Sequence, residues 1–268
     1  MICLMMAEFA DIVTGSLQGK YSRARWGAIS CEPFMSLGIM EIRRRFIRFK
    51  THLLHMFSKF RESEVLFKMQ SARGLSVNWT SALEVGEYLL EPCMMKLVEP
   101  SNKLVDEIAD VLMTLISRVT REVFARFPAV TDYVLEMSAE YIRDQVVETR
   151  RVVDESIACA RGYPVSLYCD VCMGTKQMGL RPDVTAWANK SLADGVRHVG
   201  DTVTKTIGFL LIRRVQEELV PRIQATLRSS DFLSKWIAEP ERLCEERKKL
   251  EGILETISEV KHLMKLGE

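Results

Sequence analysis

The sequence predicts an all-α rod, on three observations. Gly (14) and Pro (8) in 268 residues fall well below the roughly 12% of average usage, which argues against turn-dense β architectures. The prolines, at 33, 92, 100, 128, 164, 182, 221 and 240, leave long uninterrupted windows at 34–91, 129–163 and 183–220. A proline inside a helix costs about 3 kcal/mol, so these windows are where long helices run. Within them the apolar residues recur at helical spacing. A helix of about 35 residues is roughly 50 Å long, more than a globule of this size needs, and stripes stepping by 3 and 4 pack at the shallow angles of bundles and coiled coils.

Taken in order, residues 1–33 read as an amino-terminal connector. Met1 to Val13 is apolar but has no basic leader and reaches Glu8 too early for a signal peptide or a span. Gly15-Ser16-Leu17-Gln18-Gly19-Lys20-Tyr21-Ser22 looks like a phosphate loop, but three residues separate the glycines where four are needed, and Tyr21 stands where a hydroxyl should meet magnesium. It is expected to be a flexible connector. Helices are predicted at 34–62, at 79–127 with breaks near Pro92 and Pro100, at 129–161, at 192–228 and at 231–265. Leu104, Ile108, Val111, Leu115 and Val119 make one stripe; Val130, Val134, Met137 and Tyr141 make the next. Val203, Ile207, Leu210, Leu211, Val215 and Leu219 make a third, with a kink or restart expected at Pro221. Residues 164–191 lose the periodicity and gather Gly174, Gly179, Pro164 and Pro182, so they read as a linker between two helical blocks.

Charge excludes some functions. Lys plus Arg (37) nearly cancel Asp plus Glu (36), so the chain lacks the basic excess of a nucleic-acid binder. The seven scattered cysteines read as reduced thiols of a cytosolic protein. Cys169-Asp170-Val171-Cys172 would be half a zinc site or a dithiol pair, but His52 and His55 lie on another block, and loop thiols are the expected reading. No catalytic residue, metal ligand set or cofactor site can be singled out, and a small enzyme built on the CxxC is the least favoured alternative. The window 43–61 holds Arg43, Arg44, Arg45, Arg48, Lys50, Lys59 and Arg61 with no acid, a stretch suited to anionic lipid, to an acidic partner helix, or simply to solvent.

The carboxyl-terminal part then resembles the dynamin superfamily of large GTPases. Val199-Gly200-Asp201-Thr202-Val203-Thr204-Lys205-Thr206-Ile207, followed by Phe209 and Leu211, is similar to the start of its GTPase effector domain. Ser230-Asp231-Phe232-Leu233, Glu239-Pro240-Glu241 and Arg247-Lys248 are similar to the turn, the Glu-Pro-Asp segment and the closing basic helix. Lys96-Leu97-Val98-Glu99-Pro100, Leu104-Val105-Asp106, Arg126-Phe127-Pro128 and Arg73-Gly74-Leu75 resemble the middle domain, and Ser36-Leu37-Gly38 its assembly loop, although that loop's arginine is not at the expected place.

The resemblance implies a middle, or stalk, region at 34–163 and an effector domain at 192–268, joined by the linker. It implies an elongated antiparallel four-helix stalk plus a carboxyl-terminal helix of the signalling-bundle kind, whose stripe of Leu250, Ile253, Leu254, Ile257, Val260 and Met264 docks on helices flanking a GTPase domain. Gly38, Arg43, Arg44, Arg45, Arg73 and Gly74 become candidate assembly or lipid contacts. The implied function is self-assembly and stimulation of GTP hydrolysis in membrane fission or organelle division. The alternative is a non-catalytic scaffold that co-assembles with a full-length dynamin-like GTPase. No segment resembles the GTPase domain itself, so GTP and magnesium are expected only in a full-length relative. The implied partners are other copies, a full-length relative and an anionic membrane surface, with a cytoplasmic, peripherally membrane-associated location.

Overall fold

The protein is described by a computed structural model, which places residues 2–20, 34, 36–71, 89–162, 184–228, 245–254 and 256–257. The described residues are all-α, with no strand among them. The helices are α1 (Ile2–Gln18), α2 (Ile39–Met56), α3 (Glu62–Ser71), α4 (Val98–Val123), α5 (Pro128–Gly162) and α6 (Val184–Ile207). From α6 the chain runs on through two wide turns, Gly208–Arg213 and Val215–Leu219, into α7 (Val220–Arg228). Shorter helical stretches occupy 89–95, 245–254 and 256–257.

The expected connector over residues 1–33 is corrected for its described part, because residues 2–18 form a helix of the core. Met6, Phe9, Ile12, Val13 and Leu17 are buried, a stripe with steps of 3, 3, 1 and 4. Phe9 packs on Phe124 at the end of α4, with ring centroids 5.8 Å apart. The helix closes at Gly19, whose φ of 71° only glycine adopts without cost, while the Lys20 N–H donates to the Gly15 carbonyl at 2.8 Å. Gly15 and Gly19 thus belong to a helix and its terminus.

The prolines act by position. Pro128 opens α5 and Pro100 sits in the first turn of α4, places where a helix has no use for the missing N–H, so the break expected at Pro100 is a helix start. Between them the α4 stripe is as the spacing predicts: Leu104, Ile108, Val111, Leu115 and Val119 are all buried. On α5, Val130, Val134 and Tyr141 are buried and Met137 packs against the same core. The returning helix starts at Val184, within the stretch assigned to the linker, since Ala188 and Leu192 already continue its stripe.

Pro221 brings no restart, and the chain stays helical across it. Val199, Val203, Ile207, Leu211, Val215, Leu219, Ile223 and Leu227 are all buried, each four residues after the last. Four residues of α-helix overshoot a full turn by about 40°, so seven such steps would carry the stripe most of the way round the axis. The wide turns correct this. Their bonds reach back five residues, as when the Val220 N–H donates to the Val215 carbonyl, and the larger turn keeps the stripe on one face.

Cross-links between helices fix direction. Arg150 pairs with Asp106 and Asn102 donates to Asp154 at 3.0 Å, so α4 and α5 run antiparallel. Tyr141 donates to Glu218 at 2.9 Å and Arg214 to Gln145 at 2.7 Å, so α5 and the returning helix are antiparallel as well. Lys50 meets Asp201 at 2.7 Å and Asn189 donates to the Phe60 carbonyl at 3.2 Å, which sets α2 against α6. With α2 also on α4, these four helices contact one another in a closed ring, and α1 packs against α4, α7 and the second wide turn.

Candidate functional site

The basic stretch of α2 is less bare than its own sequence suggests. Glu41, two residues before the window, takes Arg44 and, at 2.8 Å, Arg45. Arg45 also reaches Glu107 of α4 at 3.1 Å. The hydrogen bond from the Arg45 guanidinium, helped by the charges of Arg44 and Arg45, outweighs the raising effect of burial and holds the Glu41 carboxyl below its ordinary range. Two arginines and two glutamates therefore neutralise one another at the α2–α4 seam. Arg43 points to solvent, exposed and without an ion pair among the described residues. Of the three candidate arginines, then, Arg45 ties helices together, Arg44 caps that pair, and Arg43 alone offers an uncompensated charge.

Lys50 is taken too. Its hydrogen bond, and then its charge, lower the Asp201 carboxyl from its ordinary value. Asp201 belongs to the effector-like segment quoted from the sequence, and here it joins that segment to α2. A depressed carboxylate contributes stability that is complete above its unfolded value near 4 and is lost as pH falls through the lower folded value. Asp201→Asn should thus flatten the acid limb of a melting-temperature profile below about pH 4. Both side chains are nearly half exposed, so the loss at neutral pH should stay under about 1 kcal/mol and shrink further in salt. An acid limb identical to that of the parent chain would remove the pair from the folded state.

Gly38, placed in an assembly loop by resemblance, is buried. A Cβ there would lie 2.3 Å from the Ser16 carbonyl oxygen, so the glycine lets the start of α2 touch the backbone of α1. Arg73 and Gly74 lie outside the described residues, as does the CxxC at 169–172. His52 and His55 are exposed, and no group of three metal-ligating side chains occurs among the described residues. Of the carboxyl-terminal stripe, Leu250, Ile253, Leu254 and Ile257 are exposed by 51 to 65%, and Val260 and Met264 lie outside the described residues.

One cluster escapes sequence reasoning. Tyr141 is almost fully buried, its hydroxyl on Glu218 and its ring under the Arg222 guanidinium at 5.6 Å. Burial first, then the Glu218 carboxylate, push its phenol well above the ordinary range. Its spacing assigns it only to an apolar stripe; the polar partners come from a segment more than seventy residues away.

The profile of the dynamin central region matches residues 1–177, and that of the dynamin GTPase effector domain matches residues 195–265. The chain belongs to the dynamin family. The central-region match begins at residue 1, in keeping with α1 lying in the core rather than outside it. The two matched regions of this dynamin-family chain are the ones that the Tyr141–Glu218, Arg214–Gln145 and Lys50–Asp201 contacts join. None of the curated proteins compared with the chain matches it. No helix among the described residues is long and apolar enough to cross a membrane.

Proposed function

We propose that this chain is the self-assembly and effector region of a dynamin-related protein that remodels membranes. One observation carries the reading: the central and effector regions pack antiparallel along one another, with α5 lying against α6 and both wide turns. Long helices in continuous contact move as a unit, so a displacement at one end is delivered to the other. Copies of the chain associate through the helical faces. The exposed Leu250, Ile253, Leu254 and Ile257 face is the docking stripe for helices flanking a GTPase domain. Nucleotide and magnesium belong to that domain in a full-length relative, and the work is done in the cytosol at a membrane surface.

Light scattering and sedimentation test the assembly. Mass should rise with concentration to a dimer or beyond; a monomer at every concentration overturns the reading. The stripe is tested by Leu250→Asp with Leu254→Asp. Because these side chains are 61% and 65% exposed, melting should stay within about 0.5 kcal/mol of the parent chain. Binding to a recombinant dynamin GTPase domain that carries its flanking helices should fall at least about tenfold, since two apolar anchors worth about 1.5 to 3 kcal/mol each are lost. Unchanged binding rejects the stripe.

A further inference from the structure

The α2–α4 seam opens into a groove of about 220 Å³ lined by Arg45, Arg48, Phe49, His52, Lys103 and Glu107, with Pro100 and Leu104 completing its floor. Its charges do not cancel. Arg45 and Glu107 are spent on each other and, with Arg44 and Glu41, form a neutral set. Arg48 and Lys103 remain, one from each wall, both exposed and without an ion-pair partner among the described residues, and His52 adds an imidazole beside them. Like charges brought to one concavity repel each other, and the seam is stabilised when an anion enters. A lysine and an arginine on opposite walls suit the several oxygens of a phosphate better than a single carboxylate, while Phe49 and Leu104 offer an apolar floor to whatever the phosphate is attached to.

We infer that this groove binds a phosphate ester, with Arg48 and Lys103 holding the anion from the two helices. The proposal is independent of self-assembly and needs no second copy. It also differs from the outward-facing candidate: at 100° per residue, Arg43 lies on the side of α2 turned away from Arg45, Arg48, Phe49 and His52.

The test uses the full chain with inorganic pyrophosphate by calorimetry, and with phosphatidylcholine vesicles with and without phosphatidylinositol phosphate by flotation. Pyrophosphate should bind saturably at one site, and Arg48→Glu with Lys103→Glu should weaken it at least about tenfold. Arg43→Glu with Lys59→Glu changes net charge equally and should leave binding within about twofold. Flotation that depends on phosphatidylinositol phosphate and disappears in the groove variant alone assigns the site to a lipid headgroup; saturable pyrophosphate binding without flotation assigns it to a soluble ester. No saturable pyrophosphate binding, or equal weakening by both double variants, overturns the proposal. Circular dichroism and melting of each variant ensure that a lost signal is read on folded protein.

Discussion

Gly38→Ala should lower the stability of the chain by about 3 kcal/mol, the upper part of the usual cost of overpacking. The added Cβ would stand 2.3 Å from the Ser16 carbonyl oxygen and 2.7 Å from its carbon. Both are backbone atoms of α1, so no rotamer change relieves the clash and the helix itself must shift. For a chain of this size, 3 kcal/mol corresponds to a fall in melting temperature of roughly 6 to 10 °C. The measurement also separates two roles for this glycine. Resemblance assigns it to an assembly loop, where substitution would cost self-association and leave the monomer intact. The close approach to Ser16 predicts the reverse order, with the monomer weakened first. Unchanged melting together with lost self-association would return Gly38 to an intermolecular contact.

How much of the fold is legible in the sequence depends on how far apart the interacting residues are. The α4 stripe is legible because Leu104 to Val119 answers to one local rule, a core on one side of a helix. The fate of the arginines is not. Residues 43–61 contain no acid, yet Arg44 and Arg45 are neutralised by Glu41 and Glu107, and Lys50 by Asp201, 151 positions away. Which acid crosses a seam to meet which base is decided by the register of packed helices, and no local pattern encodes that register. Tyr141 reads as core for the same reason: its ring fits the stripe, while Glu218 and Arg222 lie beyond any local window.

The wide turns, by contrast, have a signal in the sequence. Steps of four from Val199 to Leu227 are too long for a straight α-helix to hold on one face, and that mismatch announces the change in winding. Pro221 is the more conspicuous feature, on the sound rule that a proline removes a bond, and it draws the expected break to itself. In the structure the bonding register has already changed just before it, between Val215 and Val220, so the helix continues. The face that results carries Leu211, Val215 and Leu219 against α5 and α1, where a straight helix would have turned some of them to solvent.

Phe124→Ala should cost about 3 to 5 kcal/mol, the usual penalty for deleting a fully buried aromatic ring from a packed core. Phe9→Ala should cost nearly as much, and this second number decides whether residues 2–18 belong to the bundle. A connector that merely precedes the fold could lose an aromatic ring without affecting the melting of the helices after it. Phe9, however, is 1% exposed, with its ring 5.8 Å from that of Phe124 and tilted by 44°, an arrangement in which paired rings attract beyond their buried area. Combining the two substitutions should therefore cost less than the sum of the singles by about 0.5 to 1.5 kcal/mol. Strict additivity would mean that the rings do not meet, and a neutral Phe9→Ala would detach α1 altogether. Detachment would uncover the Phe124 ring that Phe9 meets and open the faces of α4, the second wide turn and α7 on which α1 packs, at the end of the bundle where the central and effector regions meet. The packing of α1 on the second wide turn and α7, with the Gln224 amide donating to the Met6 carbonyl at 3.4 Å, is what ties residues 2–18 to the returning helix.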